Sequence, residues 1–146
     1  MAVPDTARHD EIAAAETGYE RPPILAGYTY DPEEAWRARD ANRLLAIRLE
    51  TNRTCNLRCR YCYAQSGAHL ADELDYATLA DIVRQARDLG ARSIVVIGGG
   101  EPTLHPRLRD LVATIHELGM LPMLFTNCLK VTPDLARFLY DHNASV

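Results

Sequence analysis

The chain has 146 residues, of which 47% are hydrophobic, 25% charged and 7% aromatic. These fractions are close to those of an average globular protein, so they predict one folded domain and exclude disorder throughout. The formal net charge is −4, which leaves no electropositive excess for a nucleic acid backbone. The sequence has no apolar run of about 18 residues for a membrane span, and its N-terminus lacks the order of a secretory signal. We therefore expect a cytoplasmic protein with neither a membrane nor a nucleic acid as partner.

The first 43 residues are predicted to form an N-terminal arm and one short helix. Residues 1–22 are polar and alanine-rich, with no sustained apolar face apart from a short helical pattern near residues 7–16. Further along, Asp31 supplies a helix N-cap, Pro32 occupies the first helical position and acidic residues fill the first turn. This arrangement predicts a short helix that ends at about Asp40.

From residue 44 onward, short apolar strands alternate with amphipathic helices. Strands are predicted at residues 44–51, 93–97 and 121–125, and helices from Asp75 to Gly90, from His105–Pro106 to Gly119 and from Thr132 onward. Three consecutive βα units imply parallel strands joined by right-handed crossovers. Residues 144–146 read as the start of a fourth strand. The pattern thus predicts the first three βα units of a larger parallel α/β barrel or open sheet, truncated before strand four.

The four cysteines are unevenly distributed. Cys55, Cys59 and Cys62 lie within eight residues, whereas Cys128 is far along the chain. A disulfide scaffold would spread its cysteines, so this crowding indicates metal or redox chemistry in a reducing compartment. Cys128 is expected to be a buried small hydrophobic residue or a spare thiol, outside any metal site.

The cysteine triplet directly follows the first predicted strand, which places it at the carboxyl end of the sheet, where α/β proteins locate their active sites. Three thiolates on one loop can hold three irons of a [4Fe-4S] cluster and leave the fourth iron open to a ligand. One alternative is a zinc-stabilised binding module in which His69 completes a Cys3His set, although the second arm of a zinc ribbon is missing. Another is an iron–sulfur electron carrier without radical chemistry.

The second predicted strand ends in Gly98-Gly99-Gly100-Glu101-Pro102. Glycines let the backbone approach a ligand closely, and Glu101 adds a negative charge that suits an ammonium group. In isolation this segment would be read as an ordinary turn between a strand and a helix. Beside the cysteine triplet, it predicts a receptor for a zwitterionic amino acid bound to an open iron.

Together these two motifs resemble those of the radical S-adenosylmethionine (radical SAM) enzymes. The resemblance rests on CxxxCxxC with Tyr61 before its last cysteine, followed one strand later by Gly-Gly-Glu-Pro, and covers roughly residues 44–146. It implies the first half of a (β/α)6 partial TIM barrel that holds a [4Fe-4S] cluster and S-adenosyl-L-methionine. The implied reaction cleaves S-adenosylmethionine reductively to methionine and a 5′-deoxyadenosyl radical, which abstracts hydrogen from a small-molecule or peptide substrate. A reductant such as flavodoxin or ferredoxin is the implied partner.

The resemblance also implies individual roles within these motifs. Cys55, Cys59 and Cys62 would ligate the cluster, and the backbone of Tyr61 would lie near the adenine. Gly99, Gly100 and Glu101 would hold the methionyl amino group, with Pro102 as the last residue of that motif.

The third strand is followed by Thr126-Asn127-Cys128, where members of the family often have Thr-Asn-Gly. Residues at the carboxyl end of a strand can contact a substrate, and short polar side chains can equally cap a turn. Both roles are open for Thr126 and Asn127.

Overall fold

The computed structural model describes residues 30–146. The arm predicted for residues 1–22 and the short helix near residues 7–16 lie outside the described residues. The remaining elements occur in the predicted order. They are α1 (Pro32–Asp40), β1 (Ala46–Glu50), α2 (Tyr76–Asp88), β2 (Ser93–Ile97), a 3-10 turn (Pro102–Leu104), α3 (Leu108–Glu117), β3 (Leu121–Phe125) and α4 (Pro133–Asp141).

The three strands form one parallel sheet in the order β1-β2-β3, as predicted. The predicted start of a fourth strand is also present, because Ser145 forms a parallel bridge with Met123. The Leu124 N–H donates to the Ser145 carbonyl at 2.8 Å, and the Ser145 N–H donates to the Pro122 carbonyl at 3.0 Å. The chain therefore adds its last residues to the edge of β3, in the direction that continues the sheet.

The hydrophobic core lies between the sheet and the helices that cover one of its faces. Leu79, Val83 and Ala86 recur at helical spacing along α2 and are buried. The first four residues of β2 are buried as well, as expected for a central strand of a parallel sheet. The other core side chains come from β1, β2, α3, β3, α4 and the loops between them. They include Leu49, Ile94, Val96, Leu111, Val112, Ile115, Met120, Leu124, Leu135 and Leu139.

Three of the helices begin at the N-caps that the sequence predicts. The side chains of Asp31, Asp75 and Thr132 accept hydrogen bonds from backbone N–H groups in the first turns of α1, α2 and α4. None of the helices in the described part of the chain is long and apolar enough to span a bilayer.

The predicted start of the third helix at His105–Pro106 is wrong. A 3-10 turn precedes it, and α3 begins only at Leu108, after an N-cap Arg107 that makes no capping hydrogen bond through its side chain. The cause is local, because a residue before proline is disfavoured in the helical region, and His105 is extended at φ −72° and ψ 124°.

Helix α1 is attached to the amino end of the sheet. The Tyr30 hydroxyl donates to the Leu45 carbonyl at 2.9 Å and lies 2.8 Å from the Ser93 hydroxyl. Glu34 of α1 forms an ion pair with Arg92, the residue that precedes β2. These contacts lie at the end of the sheet opposite the predicted site, so the carboxyl edge is left to the loops that follow the strands.

Candidate functional site

The carboxyl edge of the sheet carries three loops with polar side chains. The cysteine loop, residues 54–67, follows β1, and the glycine loop, residues 98–101, follows β2. The third segment, residues 126–132, follows β3 and leads into α4. The parallel register places all three at the same end of the sheet.

The cysteine loop is closed at its base. Thr54 and Gly67 form a parallel bridge, and the Gly67 N–H donates to the Arg53 carbonyl at 2.8 Å. An added Cβ at Gly67 would lie 1.8 Å from the guanidinium of Arg58, which is the end of an exposed, flexible side chain and can move aside. The loop therefore leaves and re-enters the fold at one point, and its cysteines lie between these two fixed ends.

The three thiols are free and reach solvent to different degrees. Cys55 and Cys62 are partly exposed, and Cys59 is exposed. The Cys62 sulfur lies 3.2 Å from the Ser66 hydroxyl, and this hydrogen bond is the main cause that lowers the pKa of Cys62 to about 7. A thiol with this pKa is substantially ionised at neutral pH, which is the form that binds iron.

Spacing and thiol chemistry fit a cluster, whereas the thiols themselves do not converge. No three His, Cys, Asp or Glu side chains among residues 30–146 stand in the arrangement of a metal site. The ligand assignment therefore depends on the motif and on the anchored loop that carries it.

His69, the fourth ligand in the zinc alternative, has another partner. Its Nδ1 lies 2.7 Å from the Glu73 carboxylate, which also accepts hydrogen bonds from the Arg53 and Leu70 N–H groups. Burial raises the pKa of Glu73, but these hydrogen bonds outweigh that effect and hold it below its ordinary value. His69 and Glu73 thus fasten the chain behind the cysteine loop, and His69 does not converge with the three cysteines on a common site among residues 30–146.

The glycine loop is hydrogen-bonded directly to the start of the cysteine loop. The Gly100 N–H donates to the Asn52 carbonyl at 2.7 Å, and the Glu101 N–H donates to the Thr54 carbonyl at 2.8 Å. A Cβ on Gly100 would lie 2.0 Å from the Thr54 carbonyl oxygen. Glycine at this position is therefore required by the close approach of two backbones.

Asn52 stabilises this junction from inside, and it is not among the residues that the sequence motifs predict. Its side-chain amide donates to the carbonyls of Thr54 and Glu101, and its own oxygen accepts from the Thr51 hydroxyl. The sequence does show a polar residue just after an apolar strand. It does not show that this residue binds the Glu101 carbonyl, because Glu101 is 49 residues away. Asn52 is buried, so its bonding needs are met within the junction.

Two backbone carbonyls of the glycine loop are left for a ligand. The Gly99 and Gly100 carbonyl oxygens accept no hydrogen bond from the part of the chain that the structure describes. Two side chains pack closely against Gly99. A Cβ added there would lie 2.8 Å from Arg53 Cδ and 3.0 Å from a Glu50 carboxylate oxygen. The loop therefore combines open acceptors with a nearby carboxylate, that of Glu50, and a nearby cationic side chain, that of Arg53.

Glu101 is the buried hub of the site, with only 3% of its surface exposed. One carboxylate oxygen, Oε1, accepts from the Thr103 N–H at 3.1 Å, the Thr103 hydroxyl at 2.6 Å and the Thr126 hydroxyl at 2.5 Å. The other, Oε2, accepts from the Asn127 N–H at 2.8 Å. Burial raises the pKa of Glu101, but these hydrogen bonds outweigh it and the pKa lies below its ordinary value.

Thr126 and Asn127 are engaged in capping contacts. The Thr126 hydroxyl accepts from the Cys128 N–H at 3.0 Å, and the Asn127 side-chain oxygen accepts from the Leu129 N–H at 3.0 Å. The Asn127 side-chain nitrogen donates to the Asn56 side-chain oxygen at 2.9 Å. This last contact connects the end of β3 with the residue after Cys55.

Cys128 differs from the expectation of a buried residue, because it is exposed. It has φ +64°, in the left-handed region that favours the glycine found at this place in the family's pattern. The tight turn after β3 therefore forms without the glycine, and the thiol of Cys128 lies outside the hydrophobic core. The spare-thiol alternative is the one that fits.

Tyr61 is not drawn into the network around Glu101. Its side chain is 88% exposed, and its ring contact is with the Arg60 guanidinium at 5.7 Å. Pro102, by contrast, is fully buried and starts the 3-10 turn after the glycine loop.

The comparison with known families decides the kind of protein that carries this site. The profile of the Radical SAM superfamily matches residues 49–146. The chain belongs to this superfamily. The match contains β2, β3 and the last two residues of β1, and it includes both motifs.

Radical SAM relatives share about a third of the matched residues. A tungsten-containing aldehyde ferredoxin oxidoreductase cofactor-modifying protein of Pyrococcus furiosus is 32% identical over 94 residues, or 64% of this chain and 26% of that protein. Mycofactocin maturase MftC of Mycobacterium tuberculosis is 34% identical over 94 residues, or 63% of this chain and 23% of that protein. The chain thus spans about a quarter of the length of these curated relatives.

The radical SAM fold is also found among solved structures. The crystal structure of BtrN in complex with AdoMet and 2-DOIA superposes with a TM-score of 0.59 at 26% identity, over 69% of this chain and 43% of that chain. Its parallel α/β architecture agrees with the partial barrel that the sequence predicted for this chain.

Proposed function

We propose that this chain is the cofactor-binding part of a radical SAM enzyme. The observation that carries the proposal is the hydrogen-bonded junction between the cysteine loop and the glycine loop, in a chain that belongs to this superfamily. The junction brings a three-thiol loop and a loop with open carbonyls to one edge of the sheet. When bound and reduced, the cluster supplies the electron that cleaves S-adenosylmethionine and so generates the 5′-deoxyadenosyl radical.

The chain's first task in this proposal is to hold a [4Fe-4S] cluster through Cys55, Cys59 and Cys62. Three protein thiolates leave one iron of a cubane without a protein ligand. The Ser66 hydrogen bond that lowers the pKa of Cys62 favours the thiolate that iron requires. The closed base of the loop limits how far the three cysteines can separate.

Its second task is to bind the amino group of S-adenosylmethionine. We assign this role to the open carbonyls of Gly99 and Gly100 and to Glu101, whose Oε2 accepts only one hydrogen bond within the described residues. A carboxylate has about four acceptor positions, so Oε2 can take a further N–H from an ammonium. Pro102 fixes the turn behind these acceptors, and the backbone of Tyr61 is assigned to the adenine.

The proposal names the substrate and the reductant by class only. A peptide or a small molecule would donate the hydrogen atom, and a flavodoxin or ferredoxin would supply the electron. We place the protein in a reducing, cytoplasmic compartment, because three of its four cysteines are crowded into one loop, as in metal or redox sites, and are not spread along the chain as in a disulfide scaffold. We also assign the start of the catalytic domain to residue 44, just ahead of β1.

The ligand assignment is tested by replacing the cysteines one at a time with alanine. Each of Cys55→Ala, Cys59→Ala and Cys62→Ala should remove most of the iron that the wild-type chain takes up in anaerobic reconstitution, because a cubane held by three thiolates cannot spare one. The measurement is iron and sulfide per chain, with zinc determined in the same samples.

Cys128→Ala is the matched control, because Cys128 is an exposed thiol of the same chain outside the motif. It should keep the iron content of the wild type. Loss of iron in Cys128→Ala together with retention in Cys59→Ala would overturn the ligand assignment. Stoichiometric zinc in place of iron would favour the binding module instead.

A further inference from the structure

The side-chain contact between Asn127 and Asn56 connects two loops that are far apart in sequence. Asn56 follows Cys55 directly, and Asn127 follows β3, 71 residues later. The Asn127 side-chain nitrogen donates to the Asn56 side-chain oxygen at 2.9 Å. This hydrogen bond holds the residue after Cys55 at a fixed distance from the end of β3.

The orientation of the Asn127 amide is fixed by its other neighbours. Its side-chain oxygen accepts from the Leu129 N–H at 3.0 Å, so the nitrogen is the end that faces Asn56. Its backbone N–H donates to Glu101 Oε2 at 2.8 Å. Asn127 is therefore held at two points before it reaches across to the cysteine loop.

Glu101 completes the connection, because it touches the same turn twice. It accepts from the Asn127 N–H and from the Thr126 hydroxyl, while its own backbone belongs to the glycine loop. The carboxylate thus aligns the β3 end with the glycine loop, and Asn127 extends that alignment to the cysteine loop. All three loops are joined through these few side chains.

We infer that Asn127 is a positioning residue, which sets the conformation of the cysteine loop around Cys55 by binding Asn56. This inference rests on the proposed function, because the cysteines of this loop are the proposed cluster ligands. Asn127 itself holds no iron, and this positioning role is separate from the substrate contact that the sequence leaves open for it. Its effect is to order the part of the cysteine loop that carries Cys55.

The first experiment measures the loop in the iron-free chain, so it does not depend on any cofactor. Hydrogen exchange of peptides that cover residues 54–67 is compared in wild type, Asn127→Ala and Asn56→Ala. Both variants should exchange about three- to tenfold faster in this loop, the effect of losing one hydrogen bond, and should match the wild type in β2 and α3. Lys130→Ala, an exposed residue of the same β3–α4 segment, is the control and should leave the loop unchanged.

The second experiment measures iron retention in the reconstituted chain, as the rate at which a chelator removes the iron. Asn127→Ala and Asn56→Ala should each lose iron about three- to tenfold faster than wild type, and the double variant should be no faster than either single one. Asn56→Asp keeps an acceptor for the Asn127 amide and should restore slow loss.

The results separate this inference from the proposed function. Unchanged loop exchange in both alanine variants, or additive effects in the double variant, would overturn the role of Asn127 even if the wild type is a radical SAM enzyme. Faster loop exchange in a chain that binds no [4Fe-4S] cluster would uphold the contact and refute the proposed function.

Discussion

Glu101 shows how one residue can be both a ligand group and a structural hub. The family resemblance assigns it to the amino group of S-adenosylmethionine, and the structure gives its carboxylate four hydrogen bonds from the protein. These bonds hold the pKa of Glu101 below its ordinary value of 4.5. The ionised carboxylate is therefore stabilised by the fold, and the fold by the carboxylate.

The pH dependence of stability follows from this direction. A carboxyl group with a lowered pKa in the folded state stabilises the fold above pH 4.5, and its contribution is lost as the pH falls through the folded value. Glu101→Gln should lower the free energy of unfolding by about 1–3 kcal/mol at neutral pH, and the difference from wild type should shrink below pH 4.5. Denaturant unfolding of the wild type and of Glu101→Gln between neutral and acid pH measures this difference in the free energy of unfolding. A difference that stays constant with pH would contradict the lowered pKa of Glu101.

At the scale of elements, the sequence predicted what local patterns determine. The strands, their parallel order and three N-caps follow from apolar periodicity and from Asp31, Asp75 and Thr132. The start of α3 was misplaced, because the proline that signalled it also keeps His105 extended. Asn52 and the Asn56–Asn127 contact were missed, since their partners are 49 and 71 residues away and no local pattern encodes them.

The junction between the glycine loop and the cysteine loop gives a prediction at this scale. Gly100→Ala places a Cβ 2.0 Å from the Thr54 carbonyl oxygen, so one backbone has to move. We expect a loss of about 1–3 kcal/mol in the free energy of unfolding, together with weaker iron retention, because both loops shift.

Gly119→Ala is the matched control for this prediction. Gly119 has φ +74°, but no atom lies within 4 Å of its added Cβ. The variant should lose about 1–2 kcal/mol through backbone strain alone and keep the iron retention of the wild type. Equal iron loss in both variants would show that the close approach at Gly100 has no special effect on the site.

At the scale of the whole molecule, the parallel sheet gathers all candidate site residues at one edge. Helix α1 and Tyr30 occupy the opposite end, and Ser145 extends the sheet beyond β3. The motifs predicted this edge and its chemistry, because thiolates, glycine carbonyls and a carboxylate are groups with distinct ligand preferences. The network that joins the three loops became visible only in the folded chain.

The most direct test of the account is electron paramagnetic resonance of the reconstituted and reduced chain, with and without S-adenosylmethionine. The account predicts the signal of a reduced [4Fe-4S] cluster whose shape changes when S-adenosylmethionine is added, because the ligand binds the iron that no cysteine holds. In Glu101→Gln, the change should require about ten- to a hundredfold more S-adenosylmethionine, the loss expected for a charge-assisted contact. A [4Fe-4S] signal that S-adenosylmethionine leaves unaltered in the wild type would contradict the account.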